Sequence, residues 1–295
     1  GWTLLSNPIN LSSSRGRRLA TIGWFKGMPS GGSTKVSKLM DSVKRWLAFR
    51  CDALIAYGRL SKDYFTALGF PEERIFVAQN TVDTIRIAAD RDNAKRRSDE
   101  LRRELRLPDK PVVGFLGQIA DFKKPLQIVE AFEQARGAGM DAALLIAGKG
   151  PGREALETKI SDSPHSQDIF YVPEVPAGAE GGYFQLFDLY ATFAAGGLGI
   201  LEAMAHGRAV LSTPERYPET ELLEDEVTAL LSNDFSVESF ARRMRAAIES
   251  RPHREAIGRE AERVVLAKAS QEGMVQSIDA AVDCAKRHAA GANHG

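Results

Sequence analysis

Short apolar runs alternate with amphipathic segments along most of the chain, and this alternation restricts it to a parallel α/β fold. The spacing predicts strands over residues 20–24, 53–57, 75–78, 112–116, 144–147, 169–172, 189–192 and 209–212. Runs such as VVGFL and LLIAG carry no charged residue, which implies strands covered on both faces. Between them, helical periodicity predicts helices over 61–68, 125–136, 153–161, 198–206, 237–250 and 253–267. A last helix is predicted over 271–288, and the final GANHG reads as a frayed tail.

A chain of 295 residues can hold one large domain or two modest ones. The polar stretch DRDNAKRRSDE, residues 90–100, marks the expected boundary. The expected organisation is a first lobe over 1–90, a second over 91–268, and a helix and tail over 269–295. The second lobe reads as a nearly whole doubly wound, Rossmann-like parallel sheet. The first offers about three strands where such a domain has about six. With no initiating Met and no signal peptide, the chain reads as a piece of a longer protein. Lys+Arg and Asp+Glu both number 39, so no global field favours nucleic acid. No apolar run approaches the ~20 residues that span a bilayer. Cys51 and Cys284 lack metal-ligand spacing and read as free thiols of a reducing cytoplasm.

The stretch GGLGILEAMAHG, residues 196–207, carries the chemistry. Glycines open a helix, whose first turn leaves N–H groups free at the positive end of its dipole, an arrangement that suits a phosphate. Glu202, one turn in, can accept hydrogen bonds from ribose hydroxyls. The same features also suit a glycine placed for packing and a Glu favoured by the dipole. Other motifs are missing: GKGPGRE lacks the Lys-Ser/Thr ending of a P-loop, and no Gly-x-Ser-x-Gly elbow occurs. No His/Cys/Asp cluster has metal-ligand spacing. His165, His253, His288 and His294 read as surface residues, and His206 as a partner of its helix's C-terminal dipole.

Further blocks accompany this motif in order: VVGFLGQIADFKKP (112–125), LLIAGKGPGREALE (144–157), PETELLEDEVTALL (218–231) and, near the front, residues 51–84. Together they resemble the retaining glycosyltransferases of the two-Rossmann (GT-B) architecture, specifically family 4. The resemblance implies transfer of a hexose from a nucleotide-diphosphate sugar to a saccharide or lipid-linked acceptor, with retention, in polysaccharide biosynthesis. It implies a donor diphosphate held by Gly117, Gln118, Lys123, Gly197 and Leu198, a ribose held by Glu202, and a base beside Val172. Lys124 leaves the lysine open by one residue. A lysine and helix-end amides suit a departing diphosphate without a metal, so no metal or other cofactor is expected. The last helix is expected to cross back to the first lobe.

Three positions depart from the family pattern: Ala194 stands at a Glu position, Gln118 at an Arg position and Lys26 at a His position. No catalytic residue is assigned. The opening strands of the family's first domain are missing, which implies weak or no transfer by this chain alone. Two other readings stay open: a non-catalytic nucleotide-binding or partner subunit of the same fold, and a sugar-nucleotide epimerase of the GT-B fold.

Residues 1–50 hold nine Lys and Arg against Asp41 alone. Within them, residues 35–50 place Val36, Met40, Val43 and Leu47 on one helical face and Lys38, Lys44 and Arg45 off it. Residues 15–50 therefore suit either an anionic membrane surface on the cytoplasmic side, met peripherally, or a helix docked on its own sheet with a solvated basic side.

Overall fold

In the computed structural model of the protein, the residues described are 19–25, 35–193, 197–215 and 217–291, without the side chains of 35–38, 40 and 291. Lys26, Ala194, Gly196, His294, Arg15, Arg17 and Arg18 lie outside the described residues, as do the side chains of Lys35, Val36, Lys38 and Met40. The chain divides into two compact units: Gly1–Asn80 with Ala269–Gly295, and Thr81–Lys268.

The first unit contains a three-stranded parallel sheet in the order β1 (Ile22–Phe25), β2 (Ala53–Ala56), β3 (Ile75–Val77). Helix α1 (Lys35–Ala48) links the first two strands and α2 (Arg59–Ala67) the next two. Strand β2, ALIA, is buried throughout because both its faces are covered. Leu54 and Ala56 join Phe25, Leu47, Phe65 and Phe70 on one side. Ile55, on the other, packs with Ala78 and with Ala281 of the last helix, α11 (Gln271–Gly291). His288 of that helix places Nδ1 2.9 Å from an Asp52 carboxylate oxygen, so this exposed histidine is engaged.

Helix α1 resolves one ambiguity of the sequence. Leu47 is 3% exposed and Val43 packs against the same core. The Val43–Leu47 part of this apolar face is therefore occupied by protein. Leu39, Trp46 and Phe49 are exposed instead, with the Arg50 guanidinium over the Trp46 ring at 4.5 Å.

The second unit is a six-stranded, wholly parallel sheet: β4 (Val112–Leu116), β5 (Ala143–Ala147), β6 (Ile169–Val172), β7 (Leu189–Thr192), β8 (Ala209–Ser212) and β9 (Leu230–Leu231). Their spatial order is β6-β5-β4-β7-β8-β9, the doubly wound order of a Rossmann domain. Val113 and Phe115 of β4 and Leu144 and Ile146 of β5 point into one apolar core with Ile128 and Phe132 of α5 (Pro125–Gly137) and Phe240 and Met244. The remaining helices are α6 (Arg153–Ser161), α7 (Glu180–Leu186), α8 (Leu198–Ala205), α9 (Val237–Glu249) and α10 (Arg251–Lys268).

The boundary expected at the charged stretch 90–100 is corrected here, and the stretch itself is helical. After the short α3 (Thr84–Ala89) it forms most of α4 (Arg91–Glu104), and the division of the chain falls earlier, at Asn80. Helix α4 buries only Ala94, Ser98 and Leu101, spaced along one face, and packs against α7. The rest of its surface is charged, with Arg97 paired to Glu100 and Glu104. Such a narrow, small-residue stripe does not register as hydrophobic periodicity.

Candidate functional site

In a doubly wound sheet, ligands settle outside the C-terminal ends of the strands, where the winding reverses. Here the reversal lies between β4 and β7. A cleft of about 350 Å³ opens there, lined by Leu116 and Gly117 after β4, by Leu198, Gly199 and Glu202 of α8, and by His206. Arg86, Asp90, Glu180 and Phe184 line its other side.

Helix α8 begins at Gly197, whose φ of 60° and ψ of −152° lie in backbone space that L side chains rarely adopt. This conformation turns the chain out of β7 into a helix whose first amides carry no side-chain cap. A Cβ built on Gly197 would lie 3.4 Å from Lys123 Nζ, so that ammonium sits beside the helix start. Lys124, with φ of 49°, places its Nζ 5.8 Å from the Phe193 ring. Of the two adjacent lysines, Lys123 is the one set against Gly197. The positive helix end and Lys123 together make one edge of this region anion-attracting.

Glu202 lies one turn into α8, with its side chain 25% exposed. Burial raises its carboxyl above the ordinary value, offset in part by Arg86. The loop after β4 is fixed by Gly117 N–H donating to Ala147 O at 3.0 Å and Ile119 N–H to Lys149 O at 3.0 Å.

The structure therefore brings Gly117, Leu198 and Glu202 into one cleft, with Gly197 and Lys123 next to each other at the start of α8. Gln118 is exposed beside it and does not line it. Val172 ends β6, outside the lining, and its carbonyl accepts from Gly148 N–H at 2.9 Å. His206 is more than the dipole partner read from the sequence. It is 4% exposed, stacked on Phe184, and forms part of the cleft wall. Arg86, Phe184 and His206 were not singled out as site residues from sequence. One signal for His206 was present, because its spacing of four from Glu202 puts both on one helical face.

The sequence profile described as "Glycosyl transferases group 1" matches residues 97–264, more than half of the chain and nearly all of the second unit. The chain belongs to the group 1 glycosyl transferases. Among curated proteins, this group 1 chain is 28% identical over 130 residues to a 2-deoxystreptamine glucosyltransferase of Streptomyces kanamyceticus. That match takes in 42% of the chain and 32% of the relative, so about a third of the relative's length is spanned. Among solved structures, Anabaena HepE in complex with UDP and glucose is similar over 95% of this chain and 76% of its own, with a TM-score of 0.77 and 18% identity. Sucrose-phosphate synthase from Thermosynechococcus elongatus is similar over 94% and 70%, with a TM-score of 0.75 and 15% identity. These likenesses fix the fold: α/β, of the GT-B class, with two Rossmann-like lobes. Among the described residues, no helix of this group 1 member is long and apolar enough to cross a membrane, and no group of three or more His, Cys, Asp and Glu could hold a metal.

Proposed function

We propose that the second unit binds a nucleotide-diphosphate sugar in the cleft at the switch point. On this reading the chain is a family 4 enzyme that transfers a hexose, with retention, to a saccharide or lipid-linked acceptor. The observation that carries the reading is the glycine-opened start of α8 at the switch point, with Lys123 beside it and Glu202 one turn away in the cleft. Support also comes from relatives that act on or hold such molecules: a glucosyltransferase, and a structure containing UDP and glucose.

The chemistry follows from charge. As the sugar departs, negative charge grows on the diphosphate, and Lys123 with the amides of Gly197 and Leu198 would stabilise it without a resident metal. Gly117 allows the phosphates close to the end of β4, and exposed Gln118 offers a neutral hydrogen bond. Glu202 accepts from the ribose hydroxyls. On the same reading Val172, which lies outside the cleft lining, would meet the base through its backbone. The group that stabilises the sugar itself is unassigned. A cytoplasmic, peripheral location on the membrane, through the basic segment 15–50, belongs to this proposal and would use Lys44, Arg45 and exposed Trp46 rather than the occupied Val43–Leu47 face.

Calorimetry with UDP and uridine tests the assignment. Glu202→Ala should weaken both ligands by ~1–3 kcal/mol, because ribose hydroxyls lose a charged acceptor. Lys123→Ala should weaken UDP by a similar ~1.5–3 kcal/mol and leave uridine unchanged, because uridine carries no phosphate. Equal losses for both ligands in both variants would remove this division of labour. No saturable binding of UDP or of any other nucleoside diphosphate would remove the site. A second reading, nucleotide binding without transfer, is favoured by Ala194 and Gln118 at positions where the family pattern has Glu and Arg. Sugar transfer from a bound donor would decide against it.

A further inference from the structure

Behind Glu202 lies a chain of polar groups that the donor reading does not use. Arg208 follows α8 and its guanidinium donates to Gln185 Oε1 and, at 3.4 Å, to Phe187 O. Gln185 sits on α7, with its Nε2 3.2 Å from His206 Nδ1 and 3.5 Å from His206 O.

The orientation of this amide is determined by its neighbours. A guanidinium can only donate, so the atom facing Arg208 is the carbonyl oxygen. A backbone carbonyl can only accept, so the atom facing His206 O is the NH₂. The same NH₂ faces Nδ1, which must therefore accept. A neutral imidazole that accepts at Nδ1 carries its proton on Nε2. The plane of the ring is fixed by its surroundings. His206 is 4% exposed and stacked on Phe184, centroids 5.5 Å apart and planes 9° from parallel.

The Nε2 atom lies 3.9 Å from Glu202 Oε2, one turn back along the same helix. No hydrogen bond among the described residues engages the Glu202 carboxylate, and both groups line the cleft. Burial, together with Arg208, Arg91 and Arg86, outweighs Asp90 and pushes His206 down to about 4, so the imidazole is neutral at physiological pH.

We propose that Arg208, Gln185 and His206 form a positioning relay for Glu202: the Nε2–H of His206 engages Oε2 when nucleotide binds, leaving Oε1 to accept from the ribose hydroxyls. The inference rests on the cleft being the nucleoside diphosphate site. It assigns His206 and Gln185 as positioning residues that make the site selective for a ribose bearing both hydroxyls. A charged acceptor held in one orientation rejects a ligand lacking its partner more strongly than one free to turn to water.

Two measurements test it. In long-range ¹H–¹⁵N spectra of histidine-labelled protein, His206 should show a protonated Nε2 and a bare Nδ1. Gln185→Met should give a mixture of tautomers. Calorimetry then compares UDP with its 2′,3′-dideoxy analogue. His206→Phe keeps the stack on Phe184 and should reduce the preference for UDP roughly tenfold, with affinity for the analogue unchanged. Gln185→Met, at a partly exposed position, should reduce it by about threefold and carries the test should the Phe variant not fold. An Nδ1–H tautomer in the wild type would overturn the relay. So would an unchanged preference in folded variants that still bind UDP, and that outcome leaves the donor site standing. A wild-type protein that does not bind UDP overturns the donor reading and this inference together.

Discussion

Replacing Gly148 with alanine is expected to destabilise the second unit by about 2–5 kcal/mol. Gly148 follows β5 directly, with φ of 136°, a conformation that L residues rarely adopt. A Cβ there would lie 1.9 Å from Gly117 O. Neither backbone can yield cheaply. Gly148 N–H donates to Val172 O at 2.9 Å, and Gly148 O accepts from the Tyr171 hydroxyl at 3.0 Å. Gly117 is held in turn by Ala147 O. Backbone strain and steric overlap therefore add instead of relaxing into each other. Gly139→Ala is the control. Its φ of 96° is also positive, but a Cβ there meets nothing within 4 Å, so only the conformational cost of about 1–2 kcal/mol remains. Guanidinium unfolding followed by far-UV circular dichroism measures both. Trp2, Trp24 and Trp46 all belong to the first unit, so tryptophan fluorescence does not report on this one. Since Gly117 lines the cleft, Gly148→Ala should also weaken UDP binding, whereas Gly139→Ala should not. Equal destabilisation by the two variants would show that the close approach to Gly117 carries no cost.

How much of this was readable beforehand depends on where the information lies. Strands β4, β6, β7 and β8 match their predicted limits, because buried parallel strands are short apolar runs with sharp polar ends. Helix α4 was not readable, since what it buries is Ala94, Ser98 and Leu101 under a charged exterior. Helix α7, EGGYFQL, was missed because its paired glycines speak locally for a turn, and packing overrides that propensity. Strand β9 is only two residues long, defined by its pairing with Leu211 and Ser212. The same division holds at the site. Gly117, Gly197, Leu198 and Glu202 lie in contiguous motifs and were legible. Arg86, Phe184 and Gln185 come to the region from elements whose existence was not apparent, so no local pattern could place them. His206 was visible but misjudged: a histidine at a helix end is ordinarily solvated, and only the packing of α7 against it shows that it is buried.

The burial of His206 makes the fold sensitive to acid in a definite interval. In an unfolded chain this histidine takes up a proton near 6.5, and in the folded protein only near about 4. Between those values the unfolded state binds more protons. Stability therefore rises with pH across the interval and is lost as pH falls from about 6.5 towards 4. A displacement of this size corresponds to about 2–4 kcal/mol at its full extent. Protonation would put a cation at Nδ1, where Gln185 offers only donors, and among Arg208, Arg91 and Arg86, with Asp90 and Glu202 as the facing acids. Glu202 works in the opposite sense. Burial raises its carboxyl, so the folded state holds that proton more firmly, and its contribution to stability falls as pH rises through the raised range. The wild-type curve alone mixes the two. The difference between wild type and His206→Phe, unfolded in denaturant at steps between pH 7.5 and 4, isolates the histidine. The variant should lose less stability on acidification, with the gap opening below about pH 6.5 and approaching its full size near pH 4. Parallel curves would mean that His206 titrates alike in both states, and the buried neutral ring on which the relay depends would be lost with it.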